Sequence, residues 1–261
     1  MNFFQSIFIG ALQGITEWLP ISSSGQVMLT LINFFKIPTV RAYDYSLILH
    51  LGTLLALIFK FRRELIEILV NFFSFQWTEK EKFLFYSTIF TALLGLPLYK
   101  IFKLITTSFN PEIINGLIGL ALILTGLILW KSKKTIQRKR KISFLDSMIA
   151  GLAQGLAVIP GISRSGMTTG SLLLRGINQE KAIKLSFLMA VPAIIGALIL
   201  ELPQSHSQIS SLLTLSALFS SFLVSFLMIE AMMKVAKSLD FSKFCLFFGL
   251  IALLVSIISL V

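Results

Sequence analysis

The chain has 261 residues, 56% of them hydrophobic and only 13% charged. Soluble domains carry about 25% charged residues, so a water-soluble globule is excluded, and with it the nucleic-acid reading that a net charge of +11 would otherwise invite. The charges sit in clusters between long apolar stretches, which describes an all-α integral membrane protein forming a single membrane domain over residues 1–261.

A helix crossing the hydrocarbon core needs about 20 predominantly apolar residues. In chain order, residues 3–36 are apolar but interrupted by Pro20 and the polar run Ser22-Ser-Ser-Gly-Gln26. A span over 45–59 follows, borrowing flanking residues. Residues 65–76 carry Glu67 and Asn71 on one helical face with Glu64 just before them, and Leu, Ile, Val and Phe on the other. That segment reads as an amphipathic helix on the membrane surface. Spans are expected over 83–99 and 113–130, then a basic loop over 131–143, which acts as a topology anchor and attracts anionic lipid. Residues 147–174 are again apolar but broken, here by Pro160-Gly and Ser163-Arg-Ser-Gly166. The piece 165–174 would be about 15 Å long as a helix, half a bilayer, so a re-entrant hairpin is expected. Spans over 185–200, 209–229 and 244–261 complete the chain. The single Cys245 falls in an apolar stretch and offers neither a disulfide framework nor a metal site. Residues 1–5 lack the basic start and small-residue cleavage site of a signal peptide.

The two broken segments are related. Shifted by 141 positions, residues 6–25 lie over 147–166 without a gap. Ser6/Ser147, Gly10/Gly151, Gln13/Gln154, Gly14/Gly155, Ile21/Ile162, Ser22/Ser163, Ser24/Ser165 and Gly25/Gly166 are identical. The chain therefore reads as two repeats, about 1–131 and 144–261, each a re-entrant hairpin followed by three transmembrane helices. Three is odd, so the second repeat enters from the opposite face. With 60–82 and 131–141 on the cytoplasmic side, eighteen Lys and Arg fall there and four outside, which supports an inverted repeat.

Hairpins entering from opposite faces bring their tips together near the midplane. The tips carry Glu17, Ser22, Ser23, Ser24 and Gln26 from one side, and Ser163, Arg164, Ser165 and Thr168 from the other. Intramembrane charges are costly and face a cavity or a partner; a purely structural Glu17–Arg164 pair is the plain alternative to a functional one. Each tip has a Ser-x-Ser-Gly sequence where a helix is expected to start. Ser suits a helix N-cap, Gly25 and Gly166 let backbone approach a ligand, and free N–H groups at helix starts bind anions. With the guanidinium fork of Arg164 they form a cradle for a phosphate or diphosphate, or second for a carboxylate.

Gln13-Gly-Ile-Thr-Glu17-Trp-Leu-Pro-Ile-Ser-Ser-Ser-Gly25 and Pro160-Gly-Ile-Ser-Arg-Ser-Gly-Met-Thr168 resemble the two signature motifs of the undecaprenyl-pyrophosphate phosphatase family, the bacitracin-resistance proteins. Tyr43-Asp-Tyr-Ser-Leu-Ile-Leu-His-Leu-Gly-Thr53 and Ser186-Phe-Leu-Met-Ala-Val-Pro192 are similar to further family segments, so the resemblance covers essentially the whole chain. It implies a plasma-membrane hydrolase that removes the terminal phosphate of a polyprenyl diphosphate at a site open to the outer side, assisted by a divalent metal, Mg²⁺ or Ca²⁺. Carried over by position, Gln13 and Glu17 match the paired acidic/amide motif, Ser23 the nucleophile and Arg164 the phosphate-binding arginine. Ser163, Ser165 and Thr168 match the hydroxyl residues around that arginine. The family motif usually continues Ser-Gly-His, whereas this chain has Gln26.

One carboxylate suffices for Mg²⁺ when phosphate oxygens complete the shell, so Glu17, with Gln13 beside it, is the metal candidate. Glu17 is equally a candidate acid or base. The family more often has an amide at the position of His50, so His50 is expected to have exchanged roles with Gln26 and to be the missing base; the bland alternative is a ring bonded to a backbone carbonyl of a neighbouring helix. His206 reads as exposed in a polar loop, Glu201 and Glu230 as lying at span ends, and Asp44 and Asp146 as helix caps or supports for Arg41 and Arg175. A lipid-phosphate carrier would need the same cradle, but Ser23 beside Glu17 and Arg164 adds a nucleophile that a carrier does not need. A catalytically degenerate homologue is the other alternative. The substrate's tail requires a cleft open to lipid, and the sequence leaves pairing into a homodimer open.

Overall fold

A computed structural model of the chain describes residues 1–108, 111–132, 140–201, 212–235 and 241–260, and these are helical with no strands. The first hairpin is α1 (Phe3–Thr16) and α2 (Ser23–Asn33); α3 (Thr39–Lys60), α4 (Arg62–Phe73), α5 (Glu79–Ser108) and α6 (Pro111–Ser132) follow. The second hairpin is α7 (Phe144–Leu156) and α8 (Arg164–Leu174), followed by α9 (Gln179–Glu201), α10 (Leu212–Val235) and α11 (Phe241–Leu260). The helices α3, α5, α6, α9 and α10 are long and apolar enough to cross a membrane, and the 20-residue α11 is of similar length. These six correspond to the six spans read from the sequence. His206, Lys237, residues 133–139 of the basic loop and the side chains of Glu201 and Cys245 lie outside what is described.

The hairpins begin with matching caps. Asn2 and Gln5 form a capping box at the start of α1, and Ser143 and Asp146 form one at the start of α7. Their bodies then pack by the same rule on each other's half of the chain. On α1, a Cβ at Gly10 would strike the carbonyl of Ala217, and one at Gly14 would lie 2.8 Å from Ser225 N and 2.9 Å from Ser221 O, all on α10. On α7, a Cβ at Gly151 would strike the Ser87 carbonyl, and one at Gly155 would lie 3.1 Å from Gly95 N and 3.2 Å from Thr91 O, on α5. The small-xxx-small spacing is what lets two membrane helices approach backbone to backbone. A third contact is shared by the two halves: Gly119 on α6 and Gly249 on α11 would each place a Cβ 2.9 Å from the other's carbonyl oxygen.

Ion pairs fix the direction of each element. At one end, Lys181 at the start of α9 meets Glu79 at the start of α5 at 2.6 Å, and Lys60 at the end of α3 meets Glu230 near the end of α10 at 2.8 Å. Asp146 receives Arg140 at 2.7 Å and Arg175 at 2.8 Å, which joins the start of α7 to the end of α8 at the same basic end. Asp146 thus supports Arg175 as the sequence suggested. Asp44 does not cap: Pro38 holds the N-cap position of α3, and Asp44 is buried within the helix. The first hairpin instead opens at the far end, where α2 runs into the start of α3 and Asn115 near the start of α6 donates to Asn33 at 3.0 Å. The two hairpins therefore point at each other from opposite ends.

The amphipathic segment is α4, which begins earlier than expected, at Arg62. Its exposed ridge is apolar, with Ile66, Leu69, Val70 and Phe73 outward, as suits a helix lying in a lipid interface. Glu64 turns inward to Lys80 at 2.7 Å and Lys184 at 2.8 Å. Burial pushes its carboxyl up, but the hydrogen bonds and charges of those two lysines outweigh it and hold the group below the ordinary carboxylate range. Its contribution to stability is therefore present at neutral pH and lost as the pH falls through that lowered value.

The helix packing makes a contrasting pair of predictions. Gly151→Leu forces α5 and α7 apart, and overpacking of this kind costs about 1–3 kcal/mol. Gly196, with no atom within 4 Å of an added Cβ, accepts Ala without loss. Unfolding midpoints in mixed-detergent titrations check both.

Candidate active site

The tips of the two hairpins are in contact. The second helix of each starts behind a serine cap: Ser22 Oγ accepts from Gly25 N at 3.4 Å, and Ser163 Oγ from Gly166 N at 3.2 Å. Ser22 has a left-handed backbone, φ 59°, unusual for a residue with a side chain. Its hydroxyl offsets this by also accepting from Gly161 N of the opposite tip at 3.0 Å. Gly161 has φ 97°, and an added Cβ would lie 2.6 Å from the Ile118 carbonyl oxygen, so glycine is required there. Ser165 Oγ donates back to the Leu19 carbonyl at 3.0 Å. Ser23 and Arg164 are thus the first residues of α2 and α8, at equivalent positions of the two hairpins. Backbone N–H groups in these first turns have no carbonyl of their own helix to bond.

Glu17, only 6% exposed, joins four of the residues the sequence singled out. Its Oε1 accepts from Arg164 Nη2 at 2.7 Å. Its Oε2 accepts from Ser23 Oγ at 2.5 Å and Gln13 Nε2 at 3.0 Å, and faces His50 Nε2 at 3.2 Å. His50 Nδ1 donates to the Ser46 carbonyl at 2.6 Å; a carbonyl only accepts, so this nitrogen carries the hydrogen. Nε2 is then the ring nitrogen that faces the Glu17 carboxyl, and a proton on either group makes that contact a hydrogen bond. Ser23 is bonded to Glu17 rather than to the ring. The carbonyl contact of His50 is within α3 itself, and the ring faces the site.

A cavity of about 300 Å³ opens from this cluster. Glu17, Ser22, Ser23, Ser24, His50, Ser163 and Arg164 line it, with Tyr43, Leu47, Leu96, Tyr99, Ile194 and Leu198 among its other walls. Gly25, Gln26, Ser165, Gly166 and Thr168, expected to bind ligand, do not line the cavity and support the tips instead. Gly25 packs against Gly161 and Ile118, and Gly166 against Thr125 and Pro20. Gln26 donates to the Ile21 carbonyl at 3.2 Å, and Thr168 bridges the Arg164 carbonyl at 2.8 Å and Ser186 Oγ at 2.5 Å.

Three residues to which the sequence assigned no role also hold the site. Arg164 Nη1 donates to the Ser186 carbonyl at 3.1 Å, and the guanidinium lies 5.6 Å over the Trp18 ring, a cation–π contact. Trp18 Nε1 in turn donates to Ser225 Oγ at 2.5 Å. Trp18 sits inside the first motif and was visible only as its neighbour; Ser225 carries no local signal.

No group of three His, Cys, Asp or Glu side chains converges among the described residues, so a site built of protein ligands alone is not formed by them. Gln13 Oε1 is, however, buried beside Glu17 without a hydrogen-bond partner. One carboxylate and one amide oxygen fit a hard cation whose remaining ligands come from phosphate.

The family model of "Bacitracin resistance protein BacA" matches residues 6–254. The chain belongs to this family. Relatives named undecaprenyl-diphosphatase include those of Methanopyrus kandleri, 40% identical over 98% of this chain and 96% of the relative, and Methanothrix thermoacetophila, 39% identical over 97% and 96%. A third, from Sulfurisphaera tokodaii, is 32% identical over 100% of this chain and 99% of its own length.

Removing one partner of a buried ion pair costs about 3–5 kcal/mol, much of it from the stranded charge. Arg164→Gln and Glu17→Gln are each expected to destabilise on that scale. The double variant is expected to lose clearly less than their sum, as a double-mutant cycle of unfolding free energies measures.

Proposed function

We propose that the protein hydrolyses the terminal phosphoanhydride bond of a polyprenyl diphosphate, turning undecaprenyl diphosphate into the monophosphate and so recycling a lipid carrier for cell-wall or surface-glycan synthesis. The observation that carries the reading is the shared carboxylate. Ser23 hydroxyl and Arg164 guanidinium bond opposite oxygens of Glu17 at 2.5 and 2.7 Å, where two helix starts meet in a cavity with apolar walls. The names of the relatives, undecaprenyl-diphosphatases, agree with it.

Arg164 and the free N–H groups at the starts of α2 and α8 take the terminal phosphate, with the hydroxyls of Ser22, Ser24 and Ser163 around it. Phosphoryl transfer depends mainly on such positioning and charge neutralisation. Ser23 Oγ attacks phosphorus while its proton passes to Glu17, and the prenyl phosphate leaves with the electrons of the broken bond. Water then attacks the phosphoserine and inorganic phosphate departs. Glu17 is the direct base for Ser23, and His50, anchored on Ser46, shares the proton with Glu17. The imidazole absent at Gln26 is thus supplied through a carboxylate. A bound Mg²⁺ or Ca²⁺, held by Glu17 and Gln13 Oε1, would neutralise phosphate charge.

The cavity lies between the first half of α3, the middle of α5 and the later half of α9, away from the basic end. Together with the excess of Lys and Arg at the other end, this supports a site facing the outer side of the plasma membrane. The matched hairpins likewise support a division into repeats of about 1–131 and 144–261.

The test is phosphate release from a prenyl diphosphate by the purified protein in detergent. Ser23→Ala and Arg164→Ala are expected to lower kcat about 10³-fold or more. His50→Gln is expected to lower it at least about 10²-fold, the lower range of general acid–base effects. Unchanged release in Arg164→Ala would overturn the assignment.

A further inference from the structure

Gln154 holds in the second hairpin the place that Gln13 holds in the first, 141 positions apart. The residue four positions on differs: Glu17 in one hairpin is matched by Val158 in the other. Gln154 therefore has no carboxylate to serve, yet it is 3% exposed and lines the cavity on the wall formed with Thr88 and Thr91 of α5.

Its orientation is determined. Nε2 donates to Thr91 Oγ1 at 3.1 Å and to the Met189 carbonyl at 3.3 Å. A carbonyl only accepts, so the group facing Met189 is the NH₂, and the amide cannot be turned over. Thr91 in turn places its hydroxyl against the Ser87 carbonyl at 2.7 Å and the Gly151 carbonyl at 3.1 Å, which leaves its lone pairs for the amide. Both hydrogens of Gln154 are committed. What remains is Oε1, a buried acceptor with no hydrogen-bond partner among the described residues. A buried polar atom left so calls for a partner from outside the fold.

The polarity of the cavity says which partner. Arg164 and the two helix starts present donors and attract phosphate oxygens. An acceptor such as Oε1 repels those same oxygens and takes an O–H. A fully ionised prenyl diphosphate and its monophosphate product bring no O–H into the cavity, whereas water, the other reactant, always does. We infer that Gln154 Oε1 holds the hydrolytic water, an inference that rests on the phosphatase reading above. One water hydrogen points to Oε1, the other to the Glu17–His50 pair, and the oxygen lone pair faces phosphorus. As the new P–O bond forms, the bond between phosphorus and Ser23 Oγ breaks and its electrons stay on Oγ. The proton that Glu17 took from Ser23 returns to Oγ, the proton taken from the water is released to solvent as the pair resets, and the hydrogen bonded to Oε1 leaves on the inorganic phosphate. A glutamine that orients the attacking water is a known device of phosphoryl transfer.

Methanol separates this role from a structural one. Methanol has a single O–H, which its attack on phosphorus gives to the base, so it has no hydrogen for Gln154. Purified full-length protein turning over farnesyl diphosphate in aqueous methanol yields inorganic phosphate and methyl phosphate, whose ratio ³¹P NMR reads directly. In Gln154→Leu, hydrolysis is expected to fall about tenfold, the scale of one lost transition-state hydrogen bond, with KM little changed. The ratio of methyl phosphate to phosphate is expected to rise at least about fivefold on the same basis. Thr91→Val frees the amide without removing it and should move the ratio in the same direction by less, which keeps the test sound should Gln154→Leu not fold. A ratio unchanged in both variants, whether or not the rate falls, overturns the water site and leaves the phosphatase standing. A wild type that releases no phosphate overturns both.

Discussion

A single carboxylate inside an apolar bundle governs the rest of this structure. Glu17 has been taken out of water, which costs several kcal/mol for an ion unless partners replace the lost hydration. The partners come from three separate stretches of chain: Gln13 and Ser23 from its own hairpin, His50 from α3 and Arg164 from the opposite hairpin. No single helix could supply them. The two tips must therefore meet, and at that meeting the backbone turns left-handed at Ser22 and to a positive φ at Gly161.

The glycine pairs make such a meeting possible. α1 and α7 each present glycines four residues apart to a helix of the other half, so the first helix of each hairpin is seated on α10 or α5, while the tips also bond α3 and α9. Exchange of contacts between halves means that neither hairpin is positioned by its own repeat alone. In the mutual contact of Gly119 on α6 and Gly249 on α11 each glycine lies against the other's carbonyl. The basic end is closed by ion pairs of Glu79, Glu64, Asp146 and Glu230, while the cavity lies toward the other end.

Much of this was legible in the sequence because the bilayer permits few solutions. Apolar runs of about 20 residues must be spans, and the ten-residue piece ending at Leu174 was too short to be one. The offset of 141 predicted which residues would face each other, and Glu17, Ser23 and Arg164 came together as that pairing requires. Illegible was which residues of a motif touch the cavity and which hold the backbone: Gly25, Gln26, Ser165, Gly166 and Thr168 share the motif's spacing but bond to the tips. That division depends on helix rotation, which one sequence does not encode locally. Trp18, Ser186 and Ser225 act across the fold, and Ser225 stands 207 positions from the tryptophan it holds. Whether the Ser23 hydroxyl bonds Glu17 or His50 was likewise a matter of geometry that residue type does not decide.

Ser23 and Arg164 occupy the same place in their respective hairpins, each the first residue of its second helix. Two identical half-length chains assembled face to face would present two serines there, or two arginines, but never one of each. They would likewise bring two acids at the places of Glu17 and Val158, or none. If Ser23 attacks and Arg164 supplies the countercharge, as proposed above, the two can be opposed in this geometry only when the halves are free to differ, and joining them in one polypeptide is then a condition of the chemistry rather than a convenience of assembly.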